Sequence, residues 1–98
     1  MTKFASSVRF KALPKSVDKI RDLFVNYDIS VLGGALSHEV IEFGEGRFQT
    51  TVIWESEQCL VDARAELITF LDTIRDDLEE LSPELGVTDP ISGKLLAE

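Results

Sequence analysis

One histidine, one cysteine and one dense run of carboxylates are the side chains of this 98-residue chain whose types could do chemistry. His38 is the only side chain with an unperturbed pKa near neutrality, which makes it the one candidate for general acid–base work. A lone histidine makes a zinc site a poor fit, because zinc ligation wants several His or Cys. Cys59 stands where backbone N–H groups at a helix start can lower a thiol's pKa, but no basic partner is evident, and a packing role is the plainer reading. Asp76-Asp77-Leu78-Glu79-Glu80 is the densest charge cluster. Placed at the C-terminus of a helix it would oppose the macrodipole, which marks either a cation or partner site or a solvated face paired in part with Arg75. There is no P-loop and no G-x-G-x-x-G, so a nucleotide cradle has no support.

These residues have to be positioned by elements that can be read from periodicity. Phe4 to Lys11 alternates with period two, as a half-buried strand does, with Phe4, Ser6, Val8 and Phe10 on one face and Arg9 and Lys11 on the other. Leu13-Pro14 breaks that pattern. Ser16 is a suitable N-cap and Asp18 suits the first turn, so Val17, Ile20, Leu23, Phe24 and Tyr27 predict a helix over 16–27. Gly33-Gly34 punctuates the approach to a second strand over 35–43. Gly44-Glu45-Gly46 then joins it to a third strand over 47–54, a hairpin signal. Ser56 caps a long helix whose apolar positions run from Leu60 through Leu67, Phe70, Ile74 and Leu78 to Leu81, where Ser82-Pro83 ends it. Ile91 to Ala97 reads as a final strand.

Strand–helix–strand–strand–helix–strand is the ferredoxin-like order of an α+β protein, one domain over 1–98. Right-handed crossovers put both helices on one face of a four-stranded antiparallel sheet. Phe4, Val8, Phe10, Phe48, Val52 and Trp54 are expected to meet the helices. The bare face would then show Arg9, Lys11, Leu36, His38, Val40, Ile53 and Leu96. Mixed apolar surface of that kind wants cover, and a second copy related by a two-fold axis supplies it. A homodimer is the expectation, with Arg9 and Lys11 pairing with carboxylates across it. His38, on this alternation, is a surface or interface residue that serves as a base only if it reaches a cavity.

The Gly-Gly approach to the hairpin, the segment Thr51-Val52-Ile53-Trp54-Glu55-Ser56 and the long helix after it resemble the antibiotic-biosynthesis-monooxygenase-like group of dimeric α+β barrel proteins. The likeness covers nearly the whole chain in element order, and about six residues carry it as a motif. It implies a ligand cavity between sheet and helices, lined partly by Trp54, and cofactor-independent oxidation of hydrophobic, phenolic or quinol-like aromatic molecules. Trp54 would orient the ligand, with Thr50 or Ser6 supplying a hydrogen bond, or else it is a large core side chain anchoring the helix start. The family's polar partners are mostly missing: Thr50 stands near its Asn position, Leu60 near its Tyr position, and Arg75 near its Arg position. Residues 57–81 contain no histidine, so the iron ligand of the haem-degrading branch has no counterpart. The same barrel hosts proteins of many activities, so the alternative is a non-catalytic small-ligand-binding or dimerisation module.

Composition narrows the partners. The apolar share of 44% and charged share of 29% suit a globular protein, and a chain this short buries only about two-thirds of its unfolded surface. A formal charge of −8 disfavours nucleic acid and anionic membrane, both of which are bound through Lys and Arg. A lone cysteine, an N-terminus without a signal-peptide pattern and the absence of a ~20-residue apolar run make a cytoplasmic protein the expectation.

Overall fold

The computed structural model describes residues 2–97. Strand β1 (Phe4–Lys11) leads through a short 3-10 turn (Pro14–Ser16) into helix α1 (Val17–Val25). A second 3-10 turn (Ile29–Val31) precedes β2 (Ala35–Glu42), which forms a hairpin with β3 (Arg47–Trp54). Helix α2 (Glu57–Asp72), a 3-10 turn (Arg75–Asp77) and β4 (Asp89–Lys94) complete the chain. The strands form one antiparallel sheet in the order β2-β3-β1-β4, the ferredoxin-like arrangement.

The central pair, β1 and β3, runs from Phe4 opposite Trp54 to Lys11 opposite Arg47. Residues directly opposite each other share a face, so the helix side of this pair has large residues at both ends and smaller ones between. Phe10 and Phe48 stack at one end with ring centroids 5.6 Å apart and, with Ile20, Phe24, Ile74 and Leu78, form one half of the core. Trp54 at the other end packs with Leu32, Val52, Leu60 and Ala63 in the second half. Ser6, Val8, Thr50 and Val52 occupy the seam.

Strand β2 departs from simple alternation. Ala35 lies opposite Trp54 but Ser37 lies opposite Ile53, which leaves Leu36 as an extra residue in the strand. Such a bulge inverts the phase of everything beyond it. Leu36 and Ser37 both fall on the outer face, whereas His38 (opposite Val52) and Val40 (opposite Thr50) turn toward the helices. The expectation that His38 and Val40 share the bare face with Leu36 is therefore corrected. Arg9 and Ile53 do lie on the outer side.

The second helix is shorter than its apolar periodicity predicts, ending at Asp72 rather than near Leu81. The Thr73 hydroxyl donates to the Phe70 carbonyl at 2.6 Å, and the chain then turns back to the end of β1. There Leu13 N–H donates to Asp77 O and Glu79 N–H to Lys11 O, at 2.8 and 2.7 Å. Ile74 and Leu78 still reach the core, so the spacing of three and four is satisfied without a helix. The carboxylates of 76–80 consequently escape the unfavourable end of a helix dipole. Asp77 accepts from Lys19 and from the Ser16 hydroxyl, which hold its carboxyl below the usual range. Ser16 itself precedes α1 but does not cap it with its side chain. The final strand is likewise displaced, to Asp89–Lys94 from the expected 91–97, with Pro90 tolerated because β4 is an edge.

Gly34 joins the 3-10 turn to β2 with a φ of +82°, a left-handed geometry that favours glycine. A Cβ there would also lie 2.7 Å from Cys59 Cβ and collide with its sulfur. Gly34→Ala is expected to destabilise the chain by about 2 kcal/mol or more in urea unfolding. Adding Cys59→Ala should recover only part of that loss, because the Cβ–Cβ collision and the strained φ both remain.

Candidate functional site

The seam between the two core halves is not filled. Short side chains on β1 and β3 face helices that meet the sheet firmly only at the two ends, and a cavity of about 80 Å³ is left between them. Phe10, Phe24, Phe70 and Leu67 supply apolar walls. Four polar side chains also line it: Ser6 from β1, His38 from β2, Thr50 from β3 and Tyr27 from the segment just after α1. His38, Val52 and Ser6 stand in one cross-strand row, which places the imidazole and the serine on opposite sides, roughly 10 Å apart by strand spacing.

Each polar group is held differently. The Ser6 hydroxyl accepts a hydrogen bond from the Trp54 indole at 3.0 Å, which leaves its own proton free to donate. Trp54 is itself wholly buried behind Ser6, as a core side chain, and is not among the residues that line the cavity. Its bulk fills the second core half, and what it brings to the site is the orientation of Ser6. Thr50 is buried and its side chain lines the cavity. His38 is half-buried with its ring edge-on to Tyr27, centroids 6.0 Å apart. Burial pushes its pKa below the ordinary 6.5, so the imidazole is neutral at physiological pH.

Tyr27 is the residue that sequence reasoning read only as core. Its ring packs against Phe70 at 4.8 Å, as its helical spacing foretold, but its hydroxyl is buried with no hydrogen-bond partner. Burial first, then the charges of Glu66 and Asp28, raise its pKa, so the hydroxyl keeps its proton. That it is the only tyrosine, placed among apolar positions, was the available signal.

Other candidates lie elsewhere. Cys59 is half-buried against Gly34, and its sulfur accepts from the Ser56 hydroxyl at 3.4 Å. Ser56 also caps α2 by accepting from Cys59 N–H. Leu60 is core, and Arg75 is exposed and pairs with Asp72. Lys11 bridges Glu79 at 3.0 Å, and Arg9 bonds Gln49 while covering the Phe43 ring. Among the described residues no cluster of three His, Cys, Asp or Glu could hold a metal ion, and no helix is long and apolar enough to cross a membrane.

No protein-family model and no curated protein matches the chain. Solved structures do. An antibiotic biosynthesis monooxygenase candidate from Deinococcus radiodurans superposes with a TM-score of 0.77 at 15% identity, covering 97% of this chain and 94% of that one. SnoaB, a cofactor-independent oxygenase from Streptomyces nogalater (its N63A mutant), gives 0.70 at 9% identity, covering 98% and 95%. A dimeric ferredoxin-like protein from an uncultured marine organism gives 0.73 at 12%, covering 100% and 91%. The chain thus has the fold of the antibiotic-biosynthesis-monooxygenase-like and dimeric ferredoxin-like proteins.

Because there is one histidine, its imidazole can be followed directly by proton NMR. The folded chain is expected to titrate with a midpoint below 6.5, and the urea-unfolded chain near 6.5. Between the two midpoints the unfolded chain binds more protons, so His38 leaves stability unchanged above about pH 6.5 and lowers it as pH falls through that window.

Proposed function

We propose that this protein binds a small aromatic molecule in the seam cavity and, in the manner its fold suggests, oxidises it with dioxygen without a cofactor. The observation that carries the reading is a largely apolar cavity into which a neutral imidazole and three hydroxyl-bearing side chains converge. A neutral His38 can take the proton of a phenol, and the resulting anion is a much stronger electron donor toward dioxygen than the neutral phenol. For phenol itself the reaction balances as phenol plus dioxygen giving benzoquinone plus water, each in equal amount. One oxygen atom of dioxygen becomes the second carbonyl of the quinone, in place of a ring C–H. The other leaves as water, carrying the hydroxyl proton and that ring hydrogen. The substrate supplies all the electrons.

Volume sets the substrate's size. An apolar cavity of about 150 Å³ holds one benzene, so a cavity of about 80 Å³ accepts a single ring only with some outward movement of its walls. Polycyclic substrates are excluded unless α1 and the turn after it open widely. The same small volume favours the second reading, a binding or dimerisation module without chemistry. An oxygen electrode separates the two. Uptake with monosubstituted phenols should exceed the buffer rate and fall about 100-fold in His38→Gln. Ligand-induced stabilisation without any oxygen uptake would leave the binding module standing.

The working form proposed is a homodimer joined through the outer sheet face. Small residues, Ala5, Ser7, Thr51 and Gly93, occupy the middle of that face, and Leu36, Ile41, Phe43 and Ile91 surround them with 44%, 54%, 41% and 72% of their surfaces exposed. A centre of small residues among exposed apolar side chains, with Glu39 and the Arg9–Gln49 pair beside it to match charges, suits a second copy of itself, and the similar protein from the marine organism is named as dimeric. Light scattering should give twice the mass of one chain. Thr51→Arg, which puts a charge at the middle of the face, should give a folded monomer.

A further inference from the structure

We propose that Tyr27 is the specificity-determining residue of the cavity, its hydroxyl donating a hydrogen bond to an oxygen atom on a one-ring ligand. This rests on the ligand-binding reading above and names the chemistry that the ligand must carry. The observation is the orphaned hydroxyl: a polar atom with essentially no solvent contact and no partner, on a side chain that lines the cavity. Leaving such a group unmade is costly, and in folded proteins most buried polar atoms find a partner. The ring is fixed by two edge contacts, with Phe70 at 4.8 Å and His38 at 6.0 Å between centroids. The orphan therefore reflects a held orientation rather than a side chain without constraints.

The neighbouring groups agree with a donor role. Burial together with the Glu66 and Asp28 carboxylates keeps the phenol protonated. Ser6 already has one of its acceptor sites taken by Trp54, and the Phe10, Phe24 and Phe70 walls offer no polar atom to a ligand. A purely apolar occupant would leave the hydroxyl as orphaned as before. An occupant with a phenol or carbonyl oxygen that reaches the Tyr27 hydroxyl, as the walls move outward to admit the ring, satisfies it.

The test uses phenol and toluene, which have the same shape and differ in a hydroxyl for a methyl, on the full chain and on Tyr27→Phe. Dissociation constants are read by NMR titration. The ratio of phenol to toluene affinity should drop about tenfold in Tyr27→Phe, through weaker phenol binding with toluene unchanged; comparing ratios cancels the different hydration of the two probes. Free Tyr27→Phe should melt at or above the temperature of the unaltered chain, since it loses only an unpartnered hydroxyl. A lower melting temperature would mean that the hydroxyl is already bonded in the empty protein, and would overturn the proposal. An unchanged affinity ratio would overturn it while leaving the cavity reading intact. Binding of neither probe would overturn both.

Discussion

The register between β1 and β3 is the constraint on which the remaining structure rests. With Phe4 opposite Trp54 and Phe10 opposite Phe48, the inner face of the sheet reads large, small, large along its length. The helices settle on the two large ends, one resting on the Phe10–Phe48 stack and the other on Trp54. A slip of β1 by one residue would turn Arg9 inward and send Phe4, Val8 and Phe10 to the outer face, so the pairing is strongly specified. The cavity follows from the same register. Ser6 and Thr50 are too short to span the gap that their larger neighbours hold open.

Chemistry enters through a local exception to that order. The extra residue at Leu36 shifts the phase of β2, and His38 moves from the outer face to the helix side. A bulge at a sheet edge that re-aims a side chain is a common device near functional sites. Here it joins the chain's only imidazole to its only tyrosine, across elements separated in sequence by the second 3-10 turn. The Trp54–Ser6 hydrogen bond works in a similar way from the other side. The largest side chain of the core orients a small one at the cavity wall without touching the space itself.

The end of α2 shows local and tertiary preferences in competition. Residues 73–81 carry an apolar spacing compatible with helix, and a helix through them would set four carboxylates against its own dipole. Backbone pairing with the end of β1, together with the Asp77 contacts to Ser16 and Lys19, offers an alternative that buries Ile74 and Leu78 equally well. The acidic cluster is thereby turned from a candidate cation site into a clasp between the two βα halves. Lys11 adds to it through Glu79.

Much was legible in the sequence, because it depended on period and punctuation alone. The alternation of Phe4–Lys11, the glycines around Glu45, the Ser56 cap and the apolar stripe of α2 are local signals, and they suffice for element order, the ferredoxin-like topology and the inward set from Phe4 to Trp54. Ser6 could be named from the same alternation, and Thr50 from the family resemblance. What only the tertiary structure decided was everything dependent on a change of phase or on an absent partner. The bulge at Leu36 is a feature of how β2 pairs with β3, and nothing in Ala-Leu-Ser-His announces it. The buried, unpaired hydroxyl of Tyr27 is a property of the space around it, which no spacing of residues along the chain can express.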